Sequence, residues 1–231
     1  MASLTWLGHA AFLLVSDEGK RIYVDPFLSG NPKTPESEKQ PSAIDVIAVT
    51  HGHSDHVGDT VALSQAFPEA EIVAIVELKD WLGGKGAHVG AMPGPNKGGT
   101  VEIDGVHFTL VNAFHSSSSD QGEYLGEPCG LVVRLENGRA VYFAGDTCAF
   151  GDMALIRQLY APEYAVLPIG DHFTMGPREA ALALELLGNP PCIPCHWGTF
   201  PLLSGTPEAL RAEAPGATVH DLEPGGSFLL T

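Results

Sequence analysis

Three histidines and one aspartate fall within positions 51–56 of a chain that has 10 histidines in 231 residues. The run is His51-Gly52-His53-Ser54-Asp55-His56, and it comes just after the apolar stretch 44–49, which predicts a strand. Because residues two apart in extended backbone face the same side, His51 and His53 converge on one point. Asp55 and His56 face a neighbouring point. Imidazoles and carboxylates bind divalent transition metals, so the run predicts a metal site with room for a second ion.

Three more donor residues follow apolar stretches elsewhere in the chain. They are His115 in Ala-Phe-His-Ser, Asp146 in Ala-Gly-Asp-Thr and His196 in Cys-His-Trp-Gly. A metal ion needs more ligands than one short run supplies. We therefore expect these residues, each at the end of a strand, to complete the site.

Apolar stretches and helical patterns alternate along the chain. Strands are predicted at 4–7, 11–15, 21–24, 44–49, 71–76, 140–144, 164–167 and 227–230, and helices at 60–67, 177–187 and 207–214. Segment 28–42 holds three prolines, which predicts a long exposed loop that is either a lid over a site or a plain surface excursion. Strands and helices in both halves favour one domain over 1–231, with two sheets face to face and helices outside.

The charge balance restricts the partners, because 12 basic residues stand against 28 acidic ones for a formal net charge of −16. Nucleic acid is disfavoured, since a phosphate backbone needs clustered Lys and Arg. No apolar run reaches the about 18 residues of a membrane span. Four cysteines make no disulfide framework in a chain of this length, so we predict a cytoplasmic protein with reduced thiols. The expected partner is a small-molecule substrate, and a homo-oligomer stays open.

These motifs resemble those of the metallo-β-lactamase superfamily, in which H-x-H-x-D-H is followed by a lone His, an Asp in a Gly-Asp-Thr-like turn and a final His. All of them occur here in that order. Trp6-Leu7-Gly8-His9-Ala10, Val24-Asp25-Pro26 and the stretch 170–177 are similar to a branch of poorly characterised metal-dependent hydrolases. That branch is related to the ascorbate-6-phosphate lactonase and, more distantly, to the N-acyl-phosphatidylethanolamine phospholipase D. The resemblance implies an α/β fold, the four-layer αββα sandwich, over nearly the whole chain.

The resemblance also implies a set of metal ligands. One ion would be held by His51, His53 and His115, and the other by Asp55, His56 and His196, with Asp146 bridging both. Two divalent ions are expected, and Zn²⁺ suits these donors first, although Mn²⁺ and Fe²⁺ suit them as well. By its position in the family motif, Asp25 is expected to orient a ligand imidazole.

Two ions about 4 Å apart lower the pKa of a shared water. We therefore expect a hydrolase in which a metal-bridging hydroxide attacks a small ester, lactone or phosphorylated metabolite. Asp55 would also orient the hydroxide, and His9 and His172 are spare imidazoles that would protonate the leaving group or bind substrate. Thr174 and Met175 are expected at the pocket entrance from the resemblance.

Two other functions stay open. The same ions would support a phosphodiesterase acting on a phospholipid or a nucleotide. Alternatively, Cys192 and Cys195 favour a metal-binding or redox-sensing protein without turnover. The spacing Cys192-Ile193-Pro194-Cys195-His196 also matches covalent haem attachment, which we reject because His196 belongs to the larger metal pattern and no export signal is visible. The serine run 116–119 is a candidate for substrate contact, since it follows His115.

Overall fold

Twelve strands form two six-stranded sheets in the computed structural model, which describes residues 1–231. The first sheet contains β1 (Ser3–Trp6), β2 (Phe12–Val15), β3 (Arg21–Val24), β4 (Val46–Ala48), β5 (Glu71–Val73) and β12 (Ser227–Leu229). The second contains β6 (Thr100–Ile103), β7 (Val106–Asn112), β8 (Cys129–Arg134), β9 (Ala140–Phe143), β10 (Tyr164–Pro168) and β11 (Cys192–Cys195). The helices are α1 (Ser54–Val57), α2 (Thr60–Ala66), α3 (Val76–Gly84), α4 (Met153–Tyr160), α5 (Pro177–Leu187) and α6 (Pro207–Glu213), with a short 3₁₀ turn at Glu36–Glu38.

The two sheets share one topology, although no repeat is apparent in the sequence. From β1 to β5, two antiparallel pairs are followed by two parallel pairs, and β7 to β11 repeat that order. β12 and β6 add an antiparallel strand beside β1 and β7. Strands β1, β3, β4 and β5 therefore point one way in their sheet, as β7, β9, β10 and β11 do in theirs. Carboxyl ends of strands collect at a shared edge, where ligands commonly bind in α/β proteins.

Successive side chains of a strand point to opposite faces of its sheet, and this divides the core into two parts. Val141 and Phe143 of β9 pack between the sheets, whereas Ala140 and Tyr142 pack on the other face of the second sheet. There the apolar faces of α4, α5 and α6 cover the sheet, and α2 and α3 contribute buried leucines to the core that contains the first sheet. This is the expected αββα sandwich. None of the helices has the length and apolarity to cross a bilayer.

The strand at 21–24 and the helix at 177–187 are confirmed at the predicted bounds. The prediction for 71–76 is wrong at its end, because Val76 begins α3. The hairpin of β6 and β7 was missed, although its turn carries a known signal. Asp104 and Gly105 both have positive φ, 49° and 82°, as an Asp-Gly hairpin turn requires.

The segment 28–42 is fixed to the rest of the protein by hydrogen bonds and is not a freely exposed loop. Asn31 and Thr34 are buried, and their side chains donate hydrogen bonds to the carbonyls of Gly8 (3.1 Å) and Leu7 (2.7 Å). The segment thus packs beside the turn that carries His9. Buried polar side chains with backbone partners hold a long loop in one conformation.

Candidate metal centre

All seven predicted ligands lie together at the carboxyl ends of strands. The run 51–56 follows β4, His115 follows β7, Asp146 follows β9, and His196 follows β11. Gly145 makes the sharp turn before Asp146. Its φ is 62°, and a Cβ there would lie 2.7 Å from the carbonyl oxygen of Cys129, so only glycine fits.

His51, His53 and His115 form the first group, and their ligand atoms lie within 4.8 Å of one another. His51 Nε2 and His53 Nδ1 are 3.0 Å apart. Two nitrogens bound to one ion at about 2.1 Å and a tetrahedral angle lie about 3.4 Å apart. The spacing therefore suits a shared ion.

His9, Asp55, His56 and His196 form the second group, again with ligand atoms within 4.8 Å. Asp55 Oδ2 lies 3.8 Å from His196 Nε2. The rings of His56 and His196 stack at 20° with their centroids 5.6 Å apart. Three of these residues match the predicted second set, and His9 is an addition.

Asp146 lies between the two groups and is 3% exposed. Its Oδ2 is 3.5 Å from His115 Nε2 and 3.2 Å from His196 Nε2, and its Oδ1 is 3.3 Å from His56 Nε2. One carboxylate thus faces nitrogens of both groups. A bridging ligand requires this arrangement.

The polar atoms of the cluster fit a cation. His56 Nε2, His196 Nε2 and Asp146 Oδ1 are buried, converge on one another and have no hydrogen-bond partner. Buried polar atoms are normally paired, so three that converge need an explanation. A metal ion accepts lone pairs from imidazole and carboxylate together.

The pKa values of Asp146 and His196 also indicate that the buried carboxylate requires positive charge beside it. Burial works to raise the pKa of Asp146, but His196 and His56 hold it well below its usual value. Burial works to lower the pKa of His196, but Asp146 and Asp55 raise it to about 9. The buried carboxylate therefore needs either protonated imidazoles or metal ions beside it.

Asp25 orients one ligand of each group, His56 directly and His51 through Thr50. Its Oδ2 accepts a hydrogen bond from His56 Nδ1 at 2.8 Å and from the Thr50 hydroxyl at 2.7 Å, and its Oδ1 accepts from the Thr50 amide at 2.8 Å. Since the Thr50 hydroxyl donates to Asp25, its oxygen accepts from His51 Nδ1 at 3.0 Å. Both Nε2 atoms then keep a free lone pair that points into the cluster. This is the orienting role that the resemblance implied for Asp25.

His9 lies inside the cluster and is fully buried. Its Nε2 is 3.0 Å from Asp55 Oδ2, and its ring centroid is 4.0 Å from that of His196. Burial is the largest cause that lowers the pKa of His9, to about 4. A buried ring that contacts Asp55 fits positioning of that carboxylate better than direct contact with a leaving group.

His172 is exposed and packs edge-on against Phe173, with ring centroids 4.5 Å apart. It makes no side-chain hydrogen bond to the cluster, so its role in proton transfer stays a prediction. Met175 is fully buried under the helices, and its predicted place at the entrance is wrong. From this loop, the residue that lines the cavity is Phe173, two positions earlier.

The two cysteines of the C-x-x-C motif lie on opposite faces of β11. Cys195 packs between the sheets, whereas Cys192 packs under the helices. Residues three apart on a strand are about 10 Å apart, too far for a disulfide. The pair therefore gives no support to a redox sensor.

The cluster opens into a cavity of about 290 Å³. Its walls are formed by His53, Asp55, His115, Ser116, Asp146, Phe173 and His196. From the serine run, Ser116 lines the cavity, with its hydroxyl 3.3 Å from His53 Nε2, while Ser117 accepts a hydrogen bond from the Gly52 amide at 3.1 Å. Phe173 was missed because an exposed aromatic in a loop has no periodic signal in sequence.

Two mixed sheets with outer helices and a His/Asp cluster at their shared edge define a metallo-β-lactamase fold. The family model described as the β-lactamase superfamily domain matches residues 20–197. A metal-dependent hydrolase (UPF0173) of Herpetosiphon aurantiacus is 50% identical over 91% of this chain and 89% of its own length. A second, from Koribacter versatilis, is 46% identical over 97% of both chains.

A solved structure supports the same fold and family. The metallo hydrolase Igni18 of Ignicoccus hospitalis superposes with a TM-score of 0.87 at 34% identity, covering 100% of this chain and 99% of the other. The chain belongs to the β-lactamase superfamily and is one of its metal-dependent hydrolases.

Proposed function

We propose that the protein is a dinuclear metal hydrolase that acts on a small uncharged ester or lactone. The observation that carries this proposal is the position of Asp146, which faces nitrogens of both ligand groups at 3.2–3.5 Å. A site for a single ion would not need a carboxylate that faces two separate groups of ligands. Zn²⁺ is the proposed ion, with Mn²⁺ and Fe²⁺ as the alternatives that these donors also suit.

Two divalent ions bound here supply a water of lowered pKa and a Lewis acid for a carbonyl oxygen. The chain itself supplies orientation. Asp25 fixes the ligand tautomers of His51 and His56, and His9 holds Asp55. Ser116 presents the one hydroxyl at the cavity wall and is placed to donate a hydrogen bond to bound substrate.

The cavity wall favours an uncharged substrate over a phosphorylated one. Apart from the proposed ions, the wall offers no Lys or Arg, the side chains that sites for phosphate commonly use. The volume of about 290 Å³ suits a small molecule. A cytoplasmic location and a homo-oligomer stay predictions from the sequence.

The test compares metal content and hydrolysis for the wild type, Asp146→Ala and His88→Ala. Elemental analysis after loading is expected to give two ions per wild-type chain and fewer than two for Asp146→Ala. The loaded wild type is expected to hydrolyse p-nitrophenyl esters or lactones faster than bis-p-nitrophenyl phosphate. Asp146→Ala is expected to lose at least about 100-fold in kcat/KM, since metal ligands carry the chemistry.

His88 is exposed and lies outside the cluster, so His88→Ala controls for the loss of a potential metal ligand far from the site. It should keep both ions and full activity. Two ions and unchanged turnover in Asp146→Ala would refute the dinuclear site. Preference for the phosphodiester would replace the ester proposal with the phosphodiesterase.

A further inference from the structure

Exposed apolar side chains collect in the loops that carry the metal-site residues. Such residues are normally scattered singly on a protein surface, and a group at a cavity mouth marks a ligand site. Phe173 is 52% exposed and lines the cavity itself. Phe200 is 38% exposed, and its ring centroid lies 5.4 Å from that of His9, which packs on His196.

The two loops that present these rings are joined. The Gly205 amide donates a hydrogen bond to the Gly170 carbonyl at 3.2 Å. A Cβ on Gly205 would lie 1.7 Å from the carbonyl oxygen of Ile169, so only glycine allows the two backbones to approach this closely. The loops that carry Phe173 and Phe200 are therefore held together beside the cluster.

The turn before Phe173 is strained. Asp171 and His172 are consecutive and have φ of 64° and 58°, a left-handed conformation that is unfavourable for a residue such as His172. Hydrogen bonds hold it there, from the Asp171 amide to the Met175 carbonyl at 3.2 Å and from the His172 amide to Asp171 Oδ1 at 2.8 Å. The His172 ring then packs edge-on against Phe173. Strain of this kind persists where function requires one placement of a side chain.

We propose that Phe173 and Phe200 bind the apolar part of the substrate and select esters or lactones with an alkyl or aryl group over the shortest ones. This rests on the proposed function, because it assigns the specificity of that same cavity. His172 is a positioning residue that holds the Phe173 ring. Covering about 50 Å² of aromatic surface is worth about tenfold in binding at about 25 cal/mol per Å².

The experiment uses the metal-loaded protein and p-nitrophenyl acetate, butyrate and octanoate. In the wild type, kcat/KM is expected to rise about tenfold or more from acetate to octanoate. Phe173→Ala and Phe200→Ala are expected to lower kcat/KM for octanoate by about tenfold more than kcat/KM for acetate, which flattens this rise. His172→Asn keeps a residue that tolerates left-handed backbone and should flatten the rise in part. Leu159→Ala, which removes a side chain 70% exposed on α4, is the control and should behave as wild type.

A second measurement does not depend on turnover. Calorimetry with acetohydroxamic and octanohydroxamic acid, which bind metal ions through the hydroxamate, should show tighter binding of the longer acid. Phe173→Ala should abolish that difference. No preference for octanoate over acetate, or a preference that survives in both Phe variants, overturns the proposal. If no ester is cleaved but the hydroxamate difference is present and lost in Phe173→Ala, then the apolar subsite stands and the esterase proposal fails.

Discussion

Replacing Asp25 with Asn is expected to weaken metal binding much more than it weakens the fold. Asp25 has φ 46°, a left-handed conformation that Asn tolerates, so the backbone is retained. The Asn carbonyl can still accept the hydrogen bond from the Thr50 amide. Its NH₂ group then faces the other two donors, the Thr50 hydroxyl and His56 Nδ1–H.

The consequences differ for the two ligand histidines. The Thr50 hydroxyl can rotate and donate to His51 Nδ1, which places a proton on His51 Nε2, the atom that faces the cluster. His56 must either lose its partner or move its proton to Nε2. The change at His51 removes a lone pair from the first ligand group. The change at His56 either removes one from the second group or leaves its ring without the hydrogen bond that orients it.

Removing such an outer partner of a metal ligand typically weakens metal affinity by about 10–100-fold, or about 1.4–2.7 kcal/mol. Because Asp25 holds one ligand of each group, both ions are expected to bind more weakly in Asp25→Asn. The measurement is a competition titration of Zn²⁺ against a chromophoric chelator at pH 7.5, with thermal unfolding of the ion-free protein measured alongside.

Asp59→Asn is the matched control. Asp59 also accepts three hydrogen bonds, from the Leu28 amide, the Ser29 amide and the Ser29 hydroxyl, but it contacts no ligand. Its variant should lose stability and keep metal affinity. A folded Asp25→Asn protein that binds both ions within about threefold of the wild-type Kd would refute the proposed orienting role.

Two further predictions concern protons and thiols. In the ion-free protein burial works to lower the pKa of His196 and of His56, but carboxylates raise the first to about 9 and the second well above its usual value. His196 is then protonated at pH 7.5, and the raised pKa of His56 acts in the same direction, so metal binding should release protons and Kd should tighten as pH rises towards 9. Calorimetry in buffers of different ionisation enthalpy measures this, and zero release would contradict it. Burial raises the pKa of Cys129 and Cys192 to about 12 and that of Cys195 well above its usual value. Only the exposed Cys148 should therefore react with a thiol reagent at pH 8 in the native protein, whereas all four cysteines should react after denaturation. Two or more fast thiols in the native protein would restore the redox-sensor alternative.

Local patterns were enough for the elements whose signals are complete within a few residues. Helix α5 has Pro177 in its first turn, an apolar face and Gly188 at its end, and it was predicted at the right bounds. Strand β5 ends earlier than predicted, because the apolar run continues into α3 without a break. Apolar residues alone do not separate a short strand from the start of a helix.

The sequence by itself determined the chemistry of the site, because imidazoles and carboxylates in the order His51 to His196 are of little use except as metal ligands. Tertiary structure decided how they are shared. Asp146 and His115 are far from the run 51–56 along the chain, and only the meeting of strand ends at one edge places Asp146 between two groups. Burial was equally invisible in the sequence: it placed His9 behind Asp55 and left Phe173 exposed at the cavity wall. Ligand identity is a property of side chains, whereas bridging, positioning and access are properties of distances that only packing creates.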